Sequence, residues 1–282
     1  MIIDFHTHIF PSYIRNNRHL FFDNEPGFES IYRKTDSKLT GRKDLLENMD
    51  NEGVAKSVVF GFPWKLTDHY KEHNDYVIES VLKNPDRFIG FCAFDPMSVD
   101  APKEVERCLD AGLAGVGEIA VYDSDFTKDI IYSLKDIMAL CAERDVPILI
   151  HVNEPVGHIY PGKQPMSLGG LYELLKRYPS NRIVLAHWGG GIFFYGLMKK
   201  EVREALENVW LDIAASPYLY SPDIYRISGE IMGFDRILFG SDYPLIKPGR
   251  YLKEMESAGL PKDAIKKITC ENAITLLRIF NS

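Results

Sequence analysis

Eight short apolar runs, separated almost everywhere by amphipathic helical patterns, constrain the fold of this chain more than any other feature. The runs are IIDFHTH, SVVFGFPW, FIGFCAFDP, AGVGEIAVY, PILIHV, RIVLAHWG, NVWLDIA and RILFGSDYP. Between most neighbours lies a helical pattern such as LTGRKDLLENMDNEGV, DYVIESVLKN, APKEVERCLDAG, IYSLKDIMALCAERD, GGLYELLKRYP, KKEVREALEN or DIYRISGEIMG, several of them ending in Gly, Asn or Pro. Aliphatic runs this short, without strict alternation, belong to parallel strands covered on both faces. Eight such units predict a (β/α)₈ barrel, the TIM-barrel architecture. No linker, low-complexity segment or internal repeat divides residues 1–282, so one domain is expected. The stretch from about Tyr251 to Phe280 reads as helices that close the barrel.

Five of the runs end in a potential metal ligand: His6 and His8, then Glu118, His151, His187 and Asp242. In such barrels the active site lies at the C-terminal ends of the strands, which places these residues on strands 1, 4, 5, 6 and 8 around one opening. Residues two apart on a strand leave the same face about 7 Å apart, so His6 and His8 can grip one divalent cation. Zinc is satisfied by three or four nitrogen and oxygen donors with a position left for water, and this set can provide that once or, through a bridging carboxylate, twice. One or two ions per chain are therefore expected, with Zn²⁺ the first choice. A buried carboxylate without a partner is costly. Glu118 therefore needs either a metal or a buried cation. Asp4 shares the face of the two histidines but lies deeper, as a structural group or a support for the ligands rather than a ligand itself. Asp212 in WLDIA either orients a histidine or makes a buried structural bond.

The net charge of −7, with no dense run of Lys or Arg, argues against a nucleic-acid partner. No segment approaches the length of a membrane span, and the chain enters its first strand without a basic leader, so a cytoplasmic location is expected. Cys92, Cys108, Cys141 and Cys270 form no CxxC pair and read as buried reduced thiols. The segment from Phe10 to about Thr40 is too long for a simple turn. It follows the strand that carries the paired histidines, and it reads either as a substrate-covering loop or as rim packing. Trp64, Tyr122, Trp188 and Tyr243 follow barrel strands and, with the loop residue His158, are candidates to line a small-molecule site.

The DFHTH start, the lone His of ILIHV, AHWGG, FGSDYP and the late NAITLL helix together resemble the amidohydrolase superfamily over almost the whole chain. The similarity is to the amidohydrolase-related branch that includes aminocarboxymuconate semialdehyde decarboxylase. That resemblance implies His6, His8 and His151 as ligands, Asp242 as ligand and proton acceptor, and His187 as ligand or water-activating base. It also implies a Glu118 that bridges two metals where the centre is binuclear, and it makes a homodimer a fair expectation. The function expected is hydrolysis of a small amide, lactone or ester-like bond by metal-activated water. The alternative is a metal-dependent decarboxylase of an aromatic or unsaturated carboxylic acid, which would need a cation from among Arg15, Arg18, Arg42 and Lys247. A TatD-type nuclease and a metal-binding protein without catalysis are further rivals.

Overall fold

Aliphatic residues concentrate where the eight strands form: β1 Ile2–His8, β2 Val54–Phe60, β3 Phe88–Cys92, β4 Gly115–Ile119, β5 Ile148–Ile150, β6 Ile183–Leu185, β7 Val209–Asp212 and β8 Ile237–Leu238. They come from a computed structural model that describes residues 1–163 and 166–279. Among the described residues the strands pair in parallel and in sequence order from β1 to β8. The ring is drawn together by a parallel bridge between Thr7 and Tyr243 and by hydrogen bonds from Phe5 N to Phe239 O (2.7 Å) and from Asp242 N to His6 O (2.9 Å). This is the (β/α)₈ barrel that the alternation of runs predicts.

Two apolar layers hold it. Phe5, Val58, Phe60, Phe91, Leu149, Val184 and Leu238 form one cluster, in which the Phe5 and Phe91 rings from non-adjacent strands meet edge to face at 5.6 Å. Cys270, Ala273 and Leu276 of the C-terminal helices join it. The larger cluster lies between the strands and the surrounding helices. Burial on this scale, at roughly 25 cal/mol per Å² of apolar surface, supplies the main stabilising term. The four cysteines are free and buried. Phe280, the last residue of the expected closing helices, lies outside the described residues. Among the described residues no helix is long and apolar enough to cross a membrane.

The segment after β1 differs from a plain loop. It holds short helices at Ser12–Asn16, Arg18–Phe21 and Pro26–Tyr32, and its ends are joined by Phe10 N to Thr40 O at 2.7 Å. Phe10, Ile14, Phe28 and Tyr32 are buried. Anchors spaced this irregularly give three one- or two-turn helices, which leave no long periodic pattern to read. Gly27 packs on Tyr122, since a Cβ at Gly27 would meet that ring at 2.5 Å. The Phe28 ring is 4.4 Å from that of Trp64. The segment is thus seated against the loops after β2 and β4.

Candidate metal centre

β1 delivers His6 and His8 side by side, with ring centroids 5.2 Å apart. His6 Nδ1–H donates to Asp212 Oδ2 at 2.8 Å. That bond fixes the tautomer and leaves His6 Nε2 buried without a hydrogen-bond partner, 3.7 Å from Glu118 Oε1 and 3.5 Å from Asp242 Oδ1. His8 Nε2 lies 3.4 Å from Asp242 Oδ1 and 4.0 Å from Glu118 Oε2. Across the opening, His151 Nδ1 is 2.9 Å from Glu118 Oε1 and 3.2 Å from His187 Nε2. His187 Nδ1–H donates to Ala214 O at 3.0 Å, so its Nε2 lone pair also faces inward. All six residues expected to be ligands on sequence grounds therefore meet at one place.

Backbone geometry explains how His187 and Asp242 come to point inward. β6 stops at Leu185, and His187 through Gly191 all take left-handed φ values, between 55° and 88°. Such a run is unfavourable for residues with a Cβ, which is why glycines dominate it. At Gly190 a Cβ would lie 2.4 Å from Asn153 O, so the turn also needs the close approach that glycine alone permits. Asp242 likewise sits at φ 58°. Asp4 holds the neighbouring turn: it accepts Ser241 N–H at 2.9 Å and Ser241 Oγ–H at 2.5 Å. Burial raises its carboxyl to about 7 against the pull of these bonds. Asp212 holds two of the candidate donors at once, since its Oδ1 accepts His187 N–H at 3.0 Å while Oδ2 holds His6.

Electrostatics support a cation. Among the described residues the ion-pair partners of Glu118 and Asp242 are all imidazoles, and no Lys or Arg reaches either carboxylate. Of the cations that the sequence offers for a decarboxylase pocket, Arg15 pairs with Asp44 and Arg42 faces Glu79. Arg18 is spent on the carbonyls of Tyr32, Lys34 and Ser37, and Lys247 is exposed. Burial lowers the affinity of His6 for a proton, but Asp212, Glu118 and Asp242 together raise it to about 10. Glu118 is pushed up by burial and brought down to about 2 by His151 and His6. Asp242 is likewise disfavoured by burial and driven well below the carboxylate range by His8, His6 and His187. Without a metal, protons on imidazoles supply the positive charge that these carboxylates demand. Three sets of donor atoms, each within 4.8 Å of one another, could instead hold an ion: His6–His8–Glu118, His6–His187–Asp242 and Glu118–His151–His187. The buried, unpartnered Nε2 of His6, with Glu118 and Asp242 oxygens 3.7 and 3.5 Å away and His8 Nε2 turned to the same two carboxylates, fits a divalent ion.

The candidate substrate residues separate. The Tyr122 ring lies 6.0 Å from that of His151 and stacks on Phe62 at 5.4 Å. Tyr243 is half-buried beside the centre, its carbonyl accepting His8 N–H at 2.9 Å. Trp64 and Trp188 are both 0% exposed. The Trp188 indole donates to Ser216 Oγ and Trp64 donates to His73, so both work as packing groups in this structure. His158 is exposed beside Tyr160 and makes no contact with the six donors. Sequence reasoning passed over Phe28, Tyr32 and Phe62. Burial, followed by the charges of Asp242 and Glu118, pushes the Tyr32 hydroxyl well above its ordinary value. Its signal was the aromatic density of the segment after β1.

Known proteins share this arrangement of strands. The chain is 26% identical over 263 residues to gamma-resorcylate decarboxylase of Rhodococcus jostii (strain RHA1), which covers 76% of this chain and 78% of that protein. The 5-carboxyvanillate decarboxylase of Sphingomonas paucimobilis superposes with a TM-score of 0.76 at 18% identity, covering 98% of both chains. The dihydroxybenzoic acid decarboxylase of Polaromonas sp. JS666, solved with bound manganese and the inhibitor 2-nitroresorcinol, gives a TM-score of 0.73 at 19% identity and covers 100% of this chain and 98% of that one. These structural likenesses speak for the fold. Residues 3–279, from the first strand to the closing helices, match the sequence pattern of the amidohydrolase family, and the chain belongs to that family.

Proposed function

We propose that this chain is a metal-dependent decarboxylase of a hydroxylated aromatic carboxylic acid. This replaces the hydrolysis expected from the ligand pattern alone. The observation that carries it is the similarity to gamma-resorcylate decarboxylase along 76% of the chain. The rings beside the centre agree with it, because the stacked pair of Phe62 and Tyr122 offers a flat apolar wall next to His151.

His6, His8, His151 and Asp242 would hold the cation, with His187 and Glu118 within reach. Imidazole and carboxylate donors accept manganese as well as zinc, and manganese is what the Polaromonas relative holds. Bound there, a divalent cation would supply to the substrate's oxygens the positive charge that Arg15, Arg18 and Arg42, engaged elsewhere, do not bring, and would stabilise the negative charge that develops on them. The bond broken is the one between the ring carbon and the carboxylate. Carbon dioxide leaves, the electron pair stays on the ring carbon, and a proton must replace the lost group. Asp242, ionised on its own, stands at the opening to relay that proton. It would take it from the substrate's acidic hydroxyl and hand it to the ring carbon, the phenolate left behind being reprotonated from water, while the inward Nε2 of His187 is placed as an acceptor beside it. The aromatic wall holds the ring flat and excludes water.

The reading is tested by incubating protein loaded with Mn²⁺ with a panel of hydroxybenzoic acids, with lactones and esters run alongside. The result expected is a phenol from at least one acid, lost in Asp242→Asn. Turnover of lactones or esters with every acid inert would overturn it.

A further inference from the structure

We propose that His73 is a positioning residue whose imidazole fixes the place of His8 in the metal centre by holding the Ile9 carbonyl. His73 lies in the helix Thr67–Lys83 and is 1% exposed. Its Nε2–H donates to Ile9 O at 2.7 Å. Its Nδ1 accepts Trp64 Nε1–H at 2.9 Å and Phe62 N–H at 3.3 Å. A neutral imidazole has one donor and one acceptor, and both are committed here.

Those partners are the chain segments that leave β1 and β2. Ile9 directly follows His8, whose ring packs edge to face on Phe60 at 4.7 Å. Phe62 forms the aromatic wall with Tyr122. Gly61 makes room for the strut, because a Cβ there would sit 2.7 Å from the His73 ring. His73 has no ion pair with Glu118 or Asp242, so its place in the fold is explained by what it holds. A buried imidazole costs desolvation unless both nitrogens are bonded, as they are here. The proposal rests on His8 being a cation ligand, as assigned under the proposed function.

The two ends of the imidazole can be tested separately. His73→Gln keeps a donor near the Nε2 position and loses the acceptor for Trp64. His73→Asn keeps an acceptor near the Nδ1 position and loses the bond to Ile9. A merely structural role treats the two alike, because each leaves a buried partner unmatched. Gly61→Ala displaces the intact ring and serves as a second route, should His73→Asn fail to fold.

The full chain of each variant is titrated with Mn²⁺, with free Mn²⁺ read by electron paramagnetic resonance and folding checked by circular dichroism. The expected dissociation constant rises by about tenfold or more in His73→Asn and Gly61→Ala and stays within about twofold in His73→Gln, the scale of losing an outer partner of a metal ligand. Wild-type affinity in His73→Asn and Gly61→Ala would overturn the proposal, as would equal weakening by His73→Gln. His8→Ala separates the two layers of the argument. Unchanged Mn²⁺ binding there would overturn His8 as a ligand and the His73 proposal with it, whereas lost binding there beside wild-type binding in His73→Asn would overturn His73 alone.

Discussion

At the scale of single residues, the centre is a set of carboxylates whose charge has to be met inside a barrel. Glu118 is the sharpest case, since it faces His6, His8, His151 and His187 together. If it is shared between two ions, the metal content of zinc- or manganese-replete protein approaches two equivalents per chain, and Glu118→Gln removes one; a single equivalent untouched by Glu118→Gln assigns Glu118 to charge balance. Asp212 holds His6 and His187 from outside, so if these bind the cation as proposed, Asp212→Asn should weaken Mn²⁺ binding by about 10- to 100-fold with little loss of fold. A titration showing wild-type affinity would contradict that. His73 gives a pH signature. Burial lowers its proton affinity to about 4, so it stays neutral in the fold while the unfolded chain takes up a proton near pH 6.5. The fold therefore keeps this stability above about pH 6.5 and loses about 3 kcal/mol of it as pH falls toward 4. Denaturant melts of metal-free protein at pH 7 and pH 4 should show a smaller loss in His73→Gln; an identical loss would contradict the assignment. The six donors were legible in the sequence because each ends an apolar run. Trp64 and Trp188 end runs too, yet both are buried, because the left-handed backbone at Trp188 and the bond from the Trp64 indole to His73 decide where these side chains point. Sequence periodicity carries no record of that choice.

At the scale of elements, two loops do the placing. The His187–Gly191 turn works only with glycine at its crowded position, so Gly190→Ala meets both a left-handed φ of 60° and the Asn153 carbonyl. The backbone conformation alone costs about 1–2 kcal/mol. Thermal melting should fall accordingly, and Mn²⁺ affinity with it, because His187 moves. An unchanged melting temperature would show that the turn tolerates a side chain. The length of the connection makes the Phe10–Thr40 segment legible in the sequence as a long loop after β1. Its three short helices are not, since a helix of one or two turns carries too few apolar positions to show a period. Excising residues 18–36 should depress turnover more than metal content, because Phe28 and Tyr32 leave with them. Full activity in a folded, shortened variant would contradict a role at the site.

At the scale of the whole molecule, the barrel and the metal-binding character follow from the alternation of runs and their polar ends, whereas the reaction does not. Hydrolysis and decarboxylation use the same strand ends, and the choice lies in what the loops present to a substrate. The aromatic wall and the kinship with aromatic-acid decarboxylases favour loss of carbon dioxide. The most direct test follows one carboxyl carbon and one proton. Protein loaded with Mn²⁺ is incubated in D₂O with a carboxyl-labelled hydroxybenzoic acid that it turns over, and gas and product are analysed together. The account predicts one labelled carbon dioxide per phenol formed, with deuterium at the vacated ring carbon. Retention of label by every acid in the panel, beside hydrolysis of a lactone or ester that takes its new oxygen from water, would contradict it.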